Sequence, residues 1–119
     1  AVMVYVENDE DLFGQKVNVV ANKLKSQMSV SGCGFTDDES QADFKLTLKA
    51  STRESSATES IVFCYADVSY DLYDENKQKS VYSDDISEKG GSISKEKASR
   101  KAMENAANKI MESIAPWLK

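Results

Sequence analysis

The stretch Ala42-Asp43-Phe44-Lys45-Leu46-Thr47-Leu48-Lys49-Ala50 decides the fold of this chain, because apolar and polar residues alternate along it without a break. A period of two is typical of a β-strand that buries one face and exposes the other. Residues 61–73 are rich in β-branched and aromatic side chains, which favour a second strand. The polar residues 51–60 between them predict a loop. We therefore expect one long antiparallel hairpin over residues 42–74.

A buried strand and a first helix are predicted before this hairpin. Residues 2–6 form an apolar run, and the acidic residues 7–11 suit the N-terminus of a helix, where Asn8 or Asp9 would cap free amides. The helix is expected to reach about Val30. Its predicted apolar stripe has spacings of three and four residues and comprises Phe13, Val17, Val20, Leu24 and Met28.

The remaining strands are short or ambiguous in the sequence. Phe35-Thr36 predicts a short strand, and residues 79–86 predict a third antiparallel strand that follows the hairpin. Val81 and Tyr82 compete for the inward position of that strand, which leaves its inward parity ambiguous, and a β-bulge would settle it.

A second helix is predicted to end the chain. Residues 88–92 include Gly90 and Gly91 and are expected to form a flexible link, after which Ser94 caps a helix that extends to about Ala115. Its apolar stripe is rich in alanine, which allows close approach to a sheet.

These elements predict a single α+β domain over residues 1–119, with the order β-α-β-β-β-β-α. A right-handed crossover from the first strand places the first helix on one face of a mixed, mostly antiparallel sheet of four to five strands. The second helix is expected on the same face, which makes a two-layer α/β sandwich and leaves the other face open.

Composition limits the classes of function. The net charge of −5 argues against general affinity for nucleic acid, and the absence of histidine removes the commonest general base and transition-metal ligand. The spacing of Asp9, Asp11 and Gly14 resembles a calcium loop but lacks its later ligands. Asp67 and Asp71 share a strand face and are expected to be ordinary surface residues. We therefore predict no enzyme and no catalytic, cofactor-binding or metal site.

Two features leave alternatives open. Cys33 and Cys64 would form one disulfide in an oxidising compartment or remain two buried thiols. The chain starts at Ala1 and not at methionine, which is expected after removal of a signal peptide or after excision from a longer chain.

The odd-numbered face of the hairpin is the predicted partner surface. Large apolar groups in a row on an uncovered sheet face suggest a contact surface, unless a loop or a preceding segment covers them. The residues of this predicted surface are Ile61, Phe63, Tyr65, Asp67 and Tyr73.

One resemblance points to RNA. Residues 90–102 resemble the last helix of double-stranded-RNA-binding domains, in which a glycine-rich turn and a lysine-bearing helix N-terminus contact phosphates. The basic residues concerned are Lys89, Lys95, Lys97, Arg100 and Lys101.

A second resemblance extends over residues 41–119. It comprises Ala42-Asp43-Phe44-Lys45-Leu46, Asp67-Val68 with Leu72 and Asp74, Val81-Tyr82-Ser83-Asp84, and Lys89-Gly90-Gly91 before an alanine-rich helix. In their order, these motifs resemble small bacterial envelope lipoprotein domains of three kinds. These are penicillin-binding-protein activators, the curli-secretion lipoprotein and the N-terminal domain of the Tol–Pal β-propeller protein.

The lipoprotein resemblance implies a non-catalytic binding or assembly module in the periplasm or at the cell surface. Its expected partner is a protein or another envelope component, and its membrane association would come from a lipid anchor upstream of Ala1. The alternatives are a double-stranded-RNA-binding-like domain and an unrecognised enzyme.

Overall fold

The computed structural model describes residues 1–119 as one six-stranded sheet with two α-helices. The elements are β1 (Met3–Leu12), β2 (Gln15–Val17), α1 (Val19–Val30), β3 (Gly34–Phe35), β4 (Phe44–Ala57), β5 (Val62–Asp74), β6 (Lys79–Ser92) and α2 (Lys95–Ile114). Short 3₁₀ helices occupy Glu39–Gln41 and Ala115–Leu118. Neither α1 nor α2 has the length and hydrophobicity needed to cross a bilayer.

The sheet has the order β2-β1-β4-β5-β6, and β3 pairs with the start of β1. Strand β1 is parallel to β4, as expected for a crossover through α1, while β4, β5 and β6 form an antiparallel meander. The predicted α+β class is confirmed. The element order differs from the expected one by an additional strand, β2, between β1 and α1.

The core lies between the even-numbered face of the hairpin and the two helices. In β4 and β5, the side chains of Phe44, Leu46, Leu48, Val68 and Leu72 are buried in this layer. The helices contribute a second set to the same cluster, which includes Leu24, Met28, Met103, Ile110 and Ile114. The predicted inward parity of the hairpin is therefore confirmed.

The predicted start of the first helix is wrong, because residues 7–11 belong to β1. Glu7 to Glu10 pair in parallel with residues 47–50 of β4, and a two-residue turn at Phe13-Gly14 leads into β2. Both turn residues have positive φ, 49° and 89°, as a tight hairpin requires. Hence neither Asn8 nor Asp9 caps the helix, and Phe13 and Val17 lie outside it.

A carboxylate from β1 takes over the capping role. Glu10, only 1% exposed, accepts hydrogen bonds from the backbone amides of Val20 (2.7 Å) and Ala21 (3.0 Å) in the first turn of α1. Asn8 donates to the same carboxylate at 2.8 Å. The negative charge thus lies at the positive end of the helix dipole, although it comes from a strand.

The predicted loop at residues 51–60 is mostly strand. Strand β4 continues to Ala57, with a register shift between Glu54 and Ser56, and only the residues around Thr58–Ile61 turn the chain. The polar side chains of this part are exposed on both sides, so alternation is absent although the backbone ladder continues. The hairpin contributes to an elongated molecule of 51 × 23 × 22 Å.

The predicted flexible link at residues 88–92 is also strand. Gly90 pairs with Cys64 and lies directly beneath α2, where a Cβ atom would come within 2.4 Å of the Ala102 backbone nitrogen. Glycine is required there for close packing and not for flexibility. The predicted bulge is confirmed, because Leu72 pairs with Tyr82 and Tyr73 with Ser80, which leaves Val81 as the extra residue.

Helix α2 agrees closely with its prediction. The Ser94 hydroxyl accepts a hydrogen bond from the Lys97 backbone amide at 3.2 Å, and the helix ends at Ile114. Ala98, Ala102 and Ala106 are fully buried, so this helix packs against the sheet through small side chains.

The two cysteines do not form the possible disulfide: both are free and buried. The Cys64 thiol lies 3.7 Å from the Lys95 carbonyl oxygen at the start of α2, and the Cys33 thiol lies 3.9 Å from the Leu118 carbonyl oxygen beyond its end. A helix of this length spans ~30 Å. The two thiols therefore belong to opposite ends of the molecule, which leaves the alternative of two buried thiols.

Candidate functional site

The candidate site is the sheet face that no helix covers, which we call the open face. It consists of the odd-numbered residues of β1, β4 and β5 together with the β6 residues opposite them. Along residues 44–50 of β4 and residues 64–74 of β5 the even-numbered side chains enter the core, whereas the odd-numbered ones are exposed or half-buried. The expected open surface is therefore present, and nothing within residues 1–119 folds over it.

Four of the five predicted partner residues lie together near the β4–β5 turn. Phe63 and Tyr65 are half-buried neighbours on β5, Asp67 follows on the same face, and Ile61, 42% exposed, adjoins them in the turn. The Phe63 ring lies against Gly91 of β6, where a Cβ atom would come within 2.7 Å of the ring. Glycine at this position thus leaves room for the ring beside the neighbouring strand.

Two cations complete this group, which we call the aromatic–basic cluster (Arg53, Phe63, Tyr65, Asp67, Lys89). The Arg53 guanidinium from β4 lies 4.4 Å from the centre of the Tyr65 ring. The Lys89 ammonium from β6 lies 4.7 Å from the centre of the Phe63 ring and 5.9 Å from that of Tyr65. Such contacts contribute about 0.5–1 kcal/mol each at exposed sites.

An ion pair orders one side of the cluster. Arg53 Nε donates to Asp67 Oδ2 at 2.8 Å, and the Ser87 hydroxyl donates to the other carboxylate oxygen. The Arg53 hydrogen bond is the main reason why the pKa of Asp67 is lowered, and the Ser87 hydrogen bond acts in the same direction. Asp67 is therefore held as an anion, whereas Lys89 has no carboxylate partner within salt-bridge distance.

Tyr73, the fifth predicted residue, lies at the opposite end of the open face. It is eight residues from Tyr65 on the same strand, a separation of about 27 Å. Its neighbour Lys45 forms salt bridges with Glu39 (2.9 Å) and Glu7 (3.1 Å), and hydrogen bonds to these two carboxylates raise the pKa of Lys45. The structure thus separates Tyr73 from the aromatic–basic cluster.

Small hydroxyl side chains line the face between these two ends. Three shallow depressions of about 460, 450 and 390 Å³ follow one another along it. Within them Asp71 accepts hydrogen bonds from the Ser80 hydroxyl at 3.0 Å and from the Ser83 hydroxyl. Asp67 and Asp71 therefore accept hydrogen bonds from different β6 serines, and the two carboxylates do not form a hydrogen-bonded acid–base pair.

The arrangement has no group suited to holding a metal ion. No cluster of three or more histidine, cysteine, aspartate or glutamate side chains converges anywhere in residues 1–119. Asp9 and Asp11 belong to the β1–β2 hairpin, where Asp9 forms a salt bridge with Lys16 at 2.7 Å and Asp11 accepts from the Gly14 amide. The open face is therefore a surface of rings, hydroxyls and fixed charges.

Sequence reasoning missed Arg53 and Lys89 as functional candidates. Arg53 falls in the segment predicted as a loop, and Lys89 adjoins the glycines predicted as a link. The positions of Phe63 and Tyr65 on an exposed strand face were a usable signal, because exposed rings beside an antiparallel partner commonly pair across strands. Lys89 was named only in the RNA resemblance, whose glycine-rich turn is in fact part of β6.

Fold and open face together define a two-layer α+β domain whose mixed, mostly antiparallel sheet has one uncovered face. No protein-family model matches the chain, and no curated protein matches its sequence. Solved structures do match. The minor lipoprotein of Acinetobacter baumannii superposes with a TM-score of 0.72 at 13% identity, over 96% of this chain and 90% of that one.

Two further structures illustrate the range of the match. Rare lipoprotein B of Shewanella oneidensis has a TM-score of 0.61 at 10% identity, over 96% of this chain and 94% of that one. The PelC dodecamer of Paraburkholderia phytofirmans has a TM-score of 0.59 at 13% identity, over 96% and 86% respectively. At these identities the similarity establishes a fold shared with bacterial lipoproteins. The three particular lipoprotein groups named from the motifs remain predictions.

Proposed function

We propose that this chain is a non-catalytic binding module of the bacterial cell envelope that docks a protein or another envelope component through its open face. The single observation that carries this proposal is the aromatic–basic cluster. It presents two half-buried rings, an exposed isoleucine beside them and the ammonium group of Lys89, which has no carboxylate partner, on a face that no other part of the chain covers.

The physical character of the cluster supports docking in preference to chemistry. Tyrosine and arginine are enriched among the residues that dominate protein interfaces. Arg53 is already held by Asp67 and by the Tyr65 ring, so little side-chain freedom remains to be lost on binding. Asp67 is held as an anion by Arg53 and Ser87, which makes it a poor proton donor at neutral pH.

Photo-crosslinking in the native cell tests the docking proposal. A photoreactive phenylalanine analogue replaces Phe63 in one variant, Tyr73 in a second and the exposed Lys101 of α2 in a third. We expect a defined crosslinked species from position 63 and none from position 101. Crosslinks of equal yield from positions 63 and 101, or none from position 63, would refute docking through the cluster.

A pair of surface variants separates docking from folding. Phe63→Ser with Tyr65→Ser removes both rings, and Tyr73→Ser removes a ring from the far end of the same face. We expect both proteins to fold, because these side chains lie outside the core, and only the double variant to lose the partner. A double variant that fails to fold would show that this face is structurally buried.

The envelope location is a second part of the proposal, supported by the shared lipoprotein fold. We propose that the domain lies in the periplasm or at the cell surface and that a lipid anchor upstream of Ala1 holds it at the membrane. Labelling of the full-length gene product with an alkyne fatty acid, followed by membrane fractionation, is expected to give a lipid-labelled, membrane-bound protein. An unlabelled protein in the cytoplasmic fraction would refute this part.

A further inference from the structure

Strand β6 forms one edge of the sheet over its whole length. It pairs with β5 on one side and with no strand on the other. Such an edge presents a row of free backbone N–H and C=O groups that another strand can use. We propose that β6 pairs antiparallel with β6 of a second copy of this chain, about a two-fold axis at Ser87.

Two side-chain hydrogen bonds identify which residues of β6 point outward. Asn105 donates to the Lys89 carbonyl oxygen at 2.9 Å, and the Asp85 amide donates to the neighbouring Asp84 carboxylate at 2.9 Å. In an antiparallel strand the N–H and C=O of one residue point to the same side, and alternate residues share that side. The outward groups of the regular part of β6 therefore belong to Ser83, Asp85, Ser87, Lys89 and Gly91.

Among two-fold axes placed at residues 84–89, in the middle of β6, the charges of the strand favour a single register. A two-fold axis at one of four charged residues places that residue opposite its own copy; these residues are Asp84, Asp85, Glu88 and Lys89. An axis at Ile86 places Asp84 opposite Glu88 of the second copy. Like charges directly opposite each other are destabilising. With the axis at Ser87, each Asp85 faces Lys89 of the second copy, and no like charges are opposed. Both side chains lie on the open face, because they are opposite Ser69 and Tyr65 of β5.

The closest contacts between helix α2 and β6 are separated in this arrangement. Helix α2 approaches β6 most closely at Gly90, and at Ser113 it also reaches β5, where the Ser113 and Tyr70 hydroxyls lie 2.7 Å apart. In the selected register Gly90 faces Asp84 of the second copy, six residues along the strand from the second Gly90. The close helix contacts of the two copies are therefore about 20 Å apart.

Pairing would join two open faces into one continuous surface and bring two aromatic–basic clusters to the same side. It requires the bonds to Asn105 and Asp84 to be exchanged for bonds between the copies. Those two side chains act as covers of the edge in the monomer, and the Val81 bulge ends the regular part of the strand.

Cysteine crosslinking tests the register directly. Ser87→Cys places two thiols across the axis at Cα positions about 5.5 Å apart, within the range of a disulfide. The matched control Ser83→Cys, at a neutral position of the same edge, places them eight residues out of register, about 26 Å apart. Both native cysteines are buried, so the introduced thiol is the accessible one. We expect a covalent dimer from Ser87→Cys and not from the control; equal yields or no dimer would overturn the proposal.

Charge exchange provides an independent measurement by sedimentation equilibrium. Asp85→Lys or Lys89→Asp alone turns two attractive pairs into two repulsive ones, and each is expected to raise the dimer dissociation constant by about tenfold or more. The double exchange Asp85→Lys with Lys89→Asp restores opposite charges and is expected to restore the dimer. A wild-type chain that is monomeric at millimolar concentration, or a double exchange that restores nothing, would overturn the proposal.

Discussion

Gly90 is the position where one added methyl group should disturb the fold most. A Cβ atom there would lie 2.4 Å from the Ala102 nitrogen, 2.6 Å from the Ala98 carbonyl oxygen and 3.0 Å from the Ala102 Cα. All three contacts are backbone atoms of α2, so no side chain can rotate away. To restore an ordinary separation of about 3.4 Å, the helix must retreat by about 1 Å.

That retreat determines the size of the effect of Gly90→Ala. Overpacking of a close interface typically costs about 1–3 kcal/mol, and we expect a loss of about 2–3 kcal/mol because the whole helix must move. For a domain of this size this corresponds to a fall of about 10 °C in Tm. Urea denaturation followed by far-UV circular dichroism and by the fluorescence of Trp117, the single tryptophan, measures the free energy of unfolding.

Gly91→Ala is the matched control for this prediction. There the added Cβ meets the Phe63 ring at 2.7 Å on the opposite face of the sheet, and this half-buried side chain can rotate away. We expect a loss of less than about 1 kcal/mol from this change. If Gly90→Ala were as stable as the wild type, or no less stable than Gly91→Ala, the close packing of α2 on β6 would be refuted.

The remaining predictions concern single groups. Glu10→Ala should lower stability by about 1–3 kcal/mol and accelerate amide exchange in the first turn of α1, with a smaller effect for Glu10→Gln, because two helix amides lose their acceptor. Burial raises the pKa of Tyr70 above 10.0. The contribution of Tyr70 to stability is therefore present below pH 10.0 and is lost as pH rises through the pKa of the folded state. A titration followed at 295 nm should show one tyrosine that ionises at higher pH than the others, and Tyr70→Phe should abolish that step. The pKa of Asp67 is lowered, so its contribution to stability is present above pH ~3.8 and is lost as pH falls through the pKa of the folded state. In Arg53→Gln, the NMR chemical shift of the Asp67 carboxyl group should titrate at higher pH than in the wild type. A thiol titration under denaturing, non-reducing conditions should find both cysteines free.

Alternation predicted the hairpin well wherever one face is buried. Residues 44–50 lie under the helices, so their apolar positions report the core directly. The same reasoning found the parity of β5, the Val81 bulge and the capped start of α2, since each depends on residues that are adjacent in sequence. These features follow from local chemistry that a single sequence displays.

The N-terminal part was not predictable in the same way, because a long-range partner decides it. Residues 7–11 have the acidic composition of a helix start, yet the backbone of residues 7–10 pairs with β4, forty residues away. Glu10 then supplies to α1 the negative charge that the sequence suggested for a cap, but from a neighbouring strand. An acidic segment can start a helix or belong to a strand, and here pairing with a distant strand decides between the two.

The candidate site escaped prediction for a related reason. Beyond Ala50 the strands continue past the main apolar core, so residues 51–56 are polar on both sides and carry no apolar periodicity. That same extension brings Arg53 beside Tyr65, just as the continuation of β6 brings Lys89 beside Phe63. Had residues 51–60 and 88–92 been loops, the two rings would stand alone and neither cation would be fixed. The segments that the sequence predicts as loops are therefore the ones that supply the two cations of the aromatic–basic cluster. A search for function in this fold should begin where the strands extend beyond the hydrophobic core.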